Sequence, residues 1–137
     1  MRNESLEEGK RWYRQSREDL KWSRVLMENN GGYHIICFLC QQIGEKGLKA
    51  YLYAKGEELV LGHSILKLLE KAAGYDPTFT EKISAWAILD NYYITARYPN
   101  GIPDGIPAAV FNRDMAAQAL TIAAEILDTV NGIIGFD

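Results

Sequence analysis

Apolar side chains recur at intervals of three and four residues along most of the chain. No stretch shows the sustained alternation of polar and apolar residues that marks a half-buried strand. The pattern predicts an all-α protein: an up-and-down antiparallel helical bundle of four long helices plus one short helix. The predicted helices run from about Ser5 to Asn29, from Tyr33 to Lys55, from Ser64 to Ala73 (the short helix), from just after Asp76-Pro77 to near Arg97, and from Asn112 to about Ile134.

Residues with strong positional preferences supply the helix boundaries. The cluster Asn29-Asn30-Gly31-Gly32 breaks the chain after the first helix. Proline at position 77 suits a first helical turn, whereas Pro99 disfavours a helical backbone at Tyr98 and so ends the fourth helix. Asn112 is expected to cap the last helix, with Asp114 in its first turn.

The second predicted helix is apolar on nearly all sides, which is typical of a helix buried on more than one face. In a chain of this length, this indicates a central position in the bundle, a subunit interface, or both. Glycine inside a helix costs about 1 kcal/mol relative to alanine, so Gly44 and Gly47 indicate close approach by another backbone. The two apolar faces consist of Ile36, Leu39, Cys40, Ile43, Gly47, Ala50 and Tyr51, and of Ile35, Phe38, Leu52 and Tyr53.

Polar residues lie between the apolar positions of this helix. Glu45 and Lys49 are one turn apart, as are Gln42 and Lys46, and the members of each pair are expected to interact with each other.

Five basic residues share one face of the first helix and form a basic stripe. Such a stripe suits the phosphates of RNA or a nucleotide, or an acidic partner. Glu7, Glu18 and Glu28 lie along the same edge and can form local ion pairs, which favours the simpler interpretation of a solvated charged face. The stripe consists of Lys10, Arg14, Arg17, Lys21 and Arg24.

Composition narrows the class of protein further. The 137 residues predict a single domain over residues 1–137, and the net charge of -3 gives no global excess of positive charge. The start of the chain lacks the layout of a secretory signal, and no apolar run is long enough to cross a bilayer. Two cysteines make no disulfide framework. We therefore expect a cytoplasmic protein without membrane contact.

His34, Cys37 and Cys40 have the spacing of half a metal site. The chain has no further cysteine, and the pair lacks the strand-to-helix setting of redox proteins. Buried, unreactive cysteines are the better interpretation, so no metal and no cofactor are expected.

Arg97 ends the fourth predicted helix and shares a face with Asp90 and Tyr93. It could hold the following loop through backbone carbonyls or Asp90, or it could present its guanidinium to a phosphate with Tyr93 or Tyr98 stacked beside it. Both interpretations stay open. The loop that follows contains two similar tetrapeptides, residues 100–103 and 104–107, whose isoleucines, Ile102 and Ile106, are expected to pack onto the bundle.

Three segments together resemble the HEPN domain, in their order and spacing more than in any single motif. They are Gln41-Gln42-Ile43-Gly44-Glu45-Lys46-Gly47-Leu48-Lys49-Ala50, then Gly62-His63-Ser64-Ile65, then Leu89-Asp90-Asn91-Tyr92-Tyr93-Ile94 leading to Ala96-Arg97-Tyr98-Pro99. The resemblance covers nearly the whole chain. It implies a helical bundle, commonly a homodimer, often encoded beside a minimal nucleotidyltransferase as in a toxin–antitoxin pair, with nucleotide binding proposed for the family.

Many HEPN proteins are ribonucleases in which an arginine that holds the scissile phosphate is followed within a few residues by a histidine that moves protons. Here Tyr98 and Pro99 follow Arg97, and no histidine occurs after His63. The resemblance therefore implies that Arg97 keeps the phosphate-holding role alone. His63 is expected to be a helix-capping or buried polar group, away from Arg97.

The sequence thus favours a non-catalytic module that binds a nucleotide or nucleic-acid phosphate, with a nucleotidyltransferase subunit as a candidate partner. The alternatives are a metal-independent ribonuclease with an unusual acid/base residue, and a purely structural role for the polar residues. The predicted site comprises Gln42, Glu45, Lys46, Arg97 and Tyr98.

Overall fold

The computed structural model describes residues 3–137, and every regular element within them is a helix. The α-helices are α1 (Asn3–Glu28), α2 (Tyr33–Ala54), α3 (Ile65–Ala73), α4 (Ile83–Trp86), α5 (Tyr92–Thr95), α6 (Pro107–Val110) and α7 (Arg113–Ile134). Short 3-10 segments cover Pro77–Lys82, Ala87–Asn91 and Pro99–Gly101. The prediction of an all-α helical bundle is confirmed. Across the described residues, no helix is both long and apolar enough to cross a bilayer.

Helix α2 lies at the centre of the bundle. It packs along its length against α1 and α7 and also contacts α3 and α5. Most of its side chains are buried, including the polar or charged Gln41, Glu45 and Lys49. The central position expected for this helix is therefore confirmed.

The fourth predicted helix is not one long helix. The chain instead alternates between 3-10 and α geometry from Pro77 to Thr95. Three of its buried side chains, Trp86, Leu89 and Tyr92, are spaced by three residues. A 3-10 helix has three residues per turn, so the tighter geometry keeps these side chains on one face against the core.

Side chains that precede α3 and α7 cap the N-termini of these helices. Ser64 accepts a hydrogen bond from the backbone N–H of Lys67, and Asn112 accepts one from that of Met115. Between α1 and α2, Asn30 and Gly32 adopt the left-handed backbone conformation, with φ of 56° and 66°.

The helical glycines allow close packing, but not in the expected way. A Cβ on Gly47 would lie 2.6 Å from Cδ2 of Leu127, and one on Gly44 would lie 3.0 Å from Cδ1 of Leu89. Side chains, not another backbone, fill these positions. The close backbone approach occurs at Gly9, where a Cβ would lie 2.7 Å from the carbonyl oxygen of Ala50 and so would separate α1 from α2.

The loop between α5 and α7 only partly meets the expectation. Ile102 is half-buried, whereas 56% of Ile106 is exposed, so the second isoleucine does not pack onto the bundle as predicted. Pro107 is buried in its place, at the first turn of α6.

Candidate functional site

Arg97 lies two residues beyond α5, on a cluster of three aromatic rings. Its Cζ atom is 4.3 Å from the ring centroid of Phe38, 4.6 Å from that of Tyr93 and 5.0 Å from that of Tyr98. Its Nε donates a hydrogen bond of 2.8 Å to the carbonyl oxygen of Tyr93. A guanidinium stacks well on aromatic faces, so these contacts define its position at the surface.

The rest of the Arg97 guanidinium is available to a ligand. The side chain is exposed, and among residues 3–137 no carboxylate lies within ion-pair distance of it. Asp90 does not hold it, because that carboxylate accepts hydrogen bonds from the backbone N–H groups of Ile65 and Leu66 at the start of α3, 2.7 Å and 3.0 Å long. Of the two contacts proposed for Arg97, only one to a backbone carbonyl is present, and that carbonyl belongs to Tyr93 of α5, not to the following loop.

His63 lies on the same tyrosine as Arg97. Its ring stacks on that of Tyr93 with centroids 4.9 Å apart and planes 19° apart. The side chain is 59% exposed and precedes the capping residue Ser64. The expectations that His63 caps a helix or is buried, and that it is remote from Arg97, are therefore wrong.

A buried charge pair holds the imidazole of His63. Its Nδ1 lies 3.1 Å from Oε1 of Glu45, and the other carboxylate oxygen of Glu45 accepts a hydrogen bond of 3.0 Å from Lys49. Because a carboxylate accepts, the first contact favours the tautomer that carries its proton on Nδ1. The Nε2 of His63 is then left for a ligand. The predicted pair of Glu45 and Lys49 is confirmed, with the histidine as an additional member.

Gln42 is linked to this cluster through Gln41. Its amide donates to Oε1 of Gln41, and the Gln41 amide donates to the carbonyl oxygen of His63, each over 2.8 Å. Gln41 is fully buried and fixes the backbone beside the imidazole. Gln41 and Phe38 were not among the predicted site residues, although both lie about one turn from Gln42 or Glu45 on α2.

Lys46 is not part of this cluster and lies on the side of α2 that faces α1. Its ammonium group is 2.6 Å from Oδ2 of Asp19 on α1, so the predicted contact with Gln42 does not form. The five predicted site residues thus divide into Arg97 with Tyr98, Glu45 with Gln42 behind His63, and Lys46 at the α1 side of α2.

Lys46 lines a groove of about 800 Å³ between α1 and α2. Trp12 and Tyr53 supply its aromatic surface, with ring centroids 5.5 Å apart and nearly parallel planes. Its charged lining residues include Glu8, Arg11, Arg14, Glu18 and Lys46.

The basic stripe of α1 is only partly neutralised. Lys10 lies 3.5 Å from Glu7, and Arg17 lies 3.7 Å from Asp128 of α7. For Arg14 and Arg24, the described chain offers no ion-pair or hydrogen-bond partner.

The two cysteines are buried within α2, as expected. Burial raises the pKa of the Cys37 thiol to about 12 and raises the pKa of the Cys40 thiol as well. Both thiols stay protonated at neutral pH, which makes them poor nucleophiles. Residues 3–137 contain no group of three histidine, cysteine or acidic side chains arranged to hold a metal.

The chain is an all-helical bundle with Arg97 and His63 against the same tyrosine, and comparison with known proteins names its family. A family model described as the HEPN domain matches residues 10–133. The chain belongs to this family.

Two crystal structures are similar to the chain. One is TT1696 from Thermus thermophilus, with 34% identity and a TM-score of 0.84 over 90% of this chain and 96% of that chain. The other is ST0689, an archaeal HEPN homologue, with 30% identity and a TM-score of 0.74 over 98% of this chain and 99% of that chain. No curated protein matches.

Proposed function

We propose that this chain binds the phosphate of a nucleotide or nucleic acid at Arg97 and does not cleave it. The observation that supports this is the exposed guanidinium, which contacts three aromatic rings and donates to one carbonyl, with no carboxylate partner among residues 3–137. Within the described part of the chain, only the Nε hydrogen of this guanidinium is in a hydrogen bond. The terminal nitrogens keep the fork that binds a phosphate through two parallel hydrogen bonds.

The other predicted residues contribute to ligand binding in different ways. Tyr98, which is 48% exposed, offers a ring for stacking beside the phosphate. Glu45 positions His63, whose Nε2 can add a hydrogen bond to a phosphate oxygen. Gln42 acts only through Gln41, and Lys46 contributes at the groove, not at Arg97.

We also propose that two copies of the chain form a dimer next to Arg97. Ile94, which precedes Arg97 by about one turn, is 45% exposed, and Ile35, which precedes Phe38 in the same way, is 44% exposed. Each lies about one turn from a residue of the Arg97 cluster, and exposed apolar side chains grouped in this way are typical of an interface. Sedimentation of the wild type and of Ile35→Glu tests this: the wild type should sediment as a dimer and the variant as a monomer.

A thermal-shift and calorimetric titration tests phosphate binding. The wild type should be stabilised by ATP, UMP or short RNA, and Arg97→Ala should weaken binding by about tenfold to a hundredfold, the loss expected for a charge-assisted bidentate contact. Arg97→Lys keeps the charge without the fork and should lose nearly as much affinity. Arg24→Ala, an exposed arginine of α1, is the matched control and should bind as the wild type does. Absence of any shift at millimolar ligand contradicts the proposal.

One observation favours RNA cleavage as a second candidate. His63, oriented by Glu45, and Arg97 contact the same tyrosine, so an imidazole and a guanidinium belong to one cluster. In this scheme Nε2 takes the proton of a ribose 2′-hydroxyl, the 2′-oxygen bonds to phosphorus, and the 5′-oxygen leaves with a proton from water while Arg97 stabilises the added negative charge. Binding is preferred because the contacts of residues 3–137 place one histidine, His63, at this cluster, so no second histidine protonates the leaving 5′-oxygen.

The two candidates differ in a simple assay. Cleavage requires that His63→Ala abolish turnover of a short RNA while leaving binding of a DNA oligomer of the same sequence intact. If the wild type binds RNA and leaves it uncut over hours at several pH values, the binding function stands.

A minimal nucleotidyltransferase subunit is the proposed protein partner, and the support for it is membership of the HEPN family alone. Co-expression of the chain with such a subunit, followed by size-exclusion chromatography, should give a complex that elutes ahead of either protein.

A further inference from the structure

The groove between α1 and α2 adjoins the Arg97 cluster through a continuous set of contacts. The ammonium group of Lys49 lies 5.5 Å from the ring of Trp12 at the groove and 3.0 Å from Glu45. Glu45 in turn contacts His63, which stacks on Tyr93 beside Arg97. Both regions therefore lie along the same helix, α2.

The groove has the features of a site for single-stranded nucleic acid. Proteins of this kind combine cations that follow the phosphates with aromatic rings that contact the bases. Here Trp12 supplies a half-buried ring and Arg14 an exposed cation without a partner in the described chain. Two carboxylates also line the groove: Glu8 accepts hydrogen bonds from Arg11, which neutralises it, whereas Glu18 accepts one from the neutral indole N–H of Trp22 and keeps its charge.

The separation of the two regions determines the kind of ligand. Phe38, which carries Arg97, and Lys49, which contacts Trp12, are both on α2, and the helical rise places them roughly 16 Å apart. A single nucleotide is too short to occupy both regions, whereas a few linked nucleotides are long enough.

We propose that the groove is a second subsite, in which Arg14 and Trp12 bind nucleotides of a single strand whose neighbouring phosphate lies on Arg97. This inference rests on the proposed phosphate binding at Arg97 and adds that the ligand is an oligonucleotide. Arg14 binds phosphate, and the Trp12 ring contacts a base or sugar.

Charge reversal at two positions of α1 tests the subsite. The probes are hexauridylate RNA and its deoxy counterpart, measured by fluorescence anisotropy, and UMP, measured by calorimetry. We expect the wild type to bind the RNA hexamer more tightly than UMP. Arg14→Glu should weaken hexamer binding at least about fivefold at low salt and reduce its salt dependence by about one phosphate contact, with UMP binding unchanged. Arg24→Glu, the same change on the same helix outside the groove, should leave all three affinities within twofold.

Three results would overturn the subsite, and they differ in what else they affect. Equal weakening by Arg14→Glu and Arg24→Glu would show a general charge effect. An unchanged hexamer affinity in Arg14→Glu, with binding still lost in Arg97→Ala, would remove the subsite and leave the phosphate site intact. A wild type that binds neither hexamer nor UMP would overturn both proposals. Stronger binding of the RNA than of the deoxy hexamer would identify RNA as the ligand.

Discussion

Lys49 and Arg97 are both cations that lie against aromatic rings, yet their surroundings differ. Lys49 is buried, with 5% of its surface exposed, and Glu45 neutralises it at 3.0 Å. Arg97 is exposed and contacts rings and a carbonyl instead of a carboxylate. A buried charge needs a countercharge, because desolvation otherwise outweighs its interactions. An exposed guanidinium can be positioned by stacking alone, and its hydrogen-bond donors then stay available.

We expect the largest change in stability at the buried pair of Glu45 and Lys49. Glu45→Gln removes the carboxylate and leaves the Lys49 ammonium group buried without a countercharge. We expect the free energy of unfolding to fall by about 3 kcal/mol or more, as measured by urea denaturation. Glu45→Gln combined with Lys49→Met removes both charges and should recover much of this loss. A double variant as unstable as the single one would show that the pair is not the cause.

Tyr93 connects the two regions, because its ring contacts both His63 and Arg97. Tyr93→Leu should lower the free energy of unfolding by about 1 to 2 kcal/mol through lost stacking, and should also weaken phosphate binding. Tyr93→Phe keeps the ring and should match the wild type within about 0.5 kcal/mol. Equal effects of leucine and phenylalanine would assign the role to the hydroxyl group.

Substitution of Arg97 should change ligand affinity much more than it changes the free energy of unfolding. Arg97→Ala is expected to cost less than about 1 kcal/mol of folding free energy, because cation–π contacts at exposed sites are weak. Its effect on ligand affinity should be far larger. A loss of stability comparable to that of Glu45→Gln, with ligand affinity unchanged, would instead assign Arg97 a purely structural role.

The smallest effect is expected at Glu57, whose ion pair with Lys71 is partly exposed. Partial burial raises the pKa of Glu57, but hydrogen bonds from Lys71 and Tyr75 outweigh this, so the pKa lies below its usual value. A carboxyl pKa lowered by folding stabilises the protein above the unfolded pKa, and this contribution is lost as the pH falls through the folded pKa. Glu57→Gln should therefore cost less than about 1 kcal/mol at pH 7, and in urea denaturation the difference from the wild type should shrink as the pH falls below the unfolded pKa of a glutamate and through the lower folded pKa.

Local signals allowed much of the fold to be predicted. The breaker residues after α1 and the capping side chains of Ser64 and Asn112 act within a few residues of themselves, so their effect on the backbone could be predicted directly. Glu45 and Lys49 are one helical turn apart, so their pairing could also be predicted from the local sequence. The single fourth helix was wrong because the burial of Trp86, Leu89 and Tyr92 follows from what packs against them, not from their own preferences.

Less of the candidate site could be predicted, because residues that are far apart in the sequence meet there. Arg97 and Tyr98 are neighbours in sequence, so their association was expected. His63 reaches the cluster from the segment before α3, and Phe38 reaches it from α2. Lys46, one residue after Glu45, points to Asp19 instead because successive residues on a helix differ in direction by about 100°.

The sequence by itself determined the helical class, most helix ends, the buried unreactive cysteines and the resemblance to the HEPN family, since periodicity and capping act over one or two turns. Only the tertiary structure decided that one tyrosine holds both an arginine and a histidine, and that a buried glutamate is shared between a lysine and that histidine. Those contacts join residues up to 30 positions apart, from His63 to Tyr93. Their geometry depends on how α2 and the segments around it pack together, which no local preference specifies.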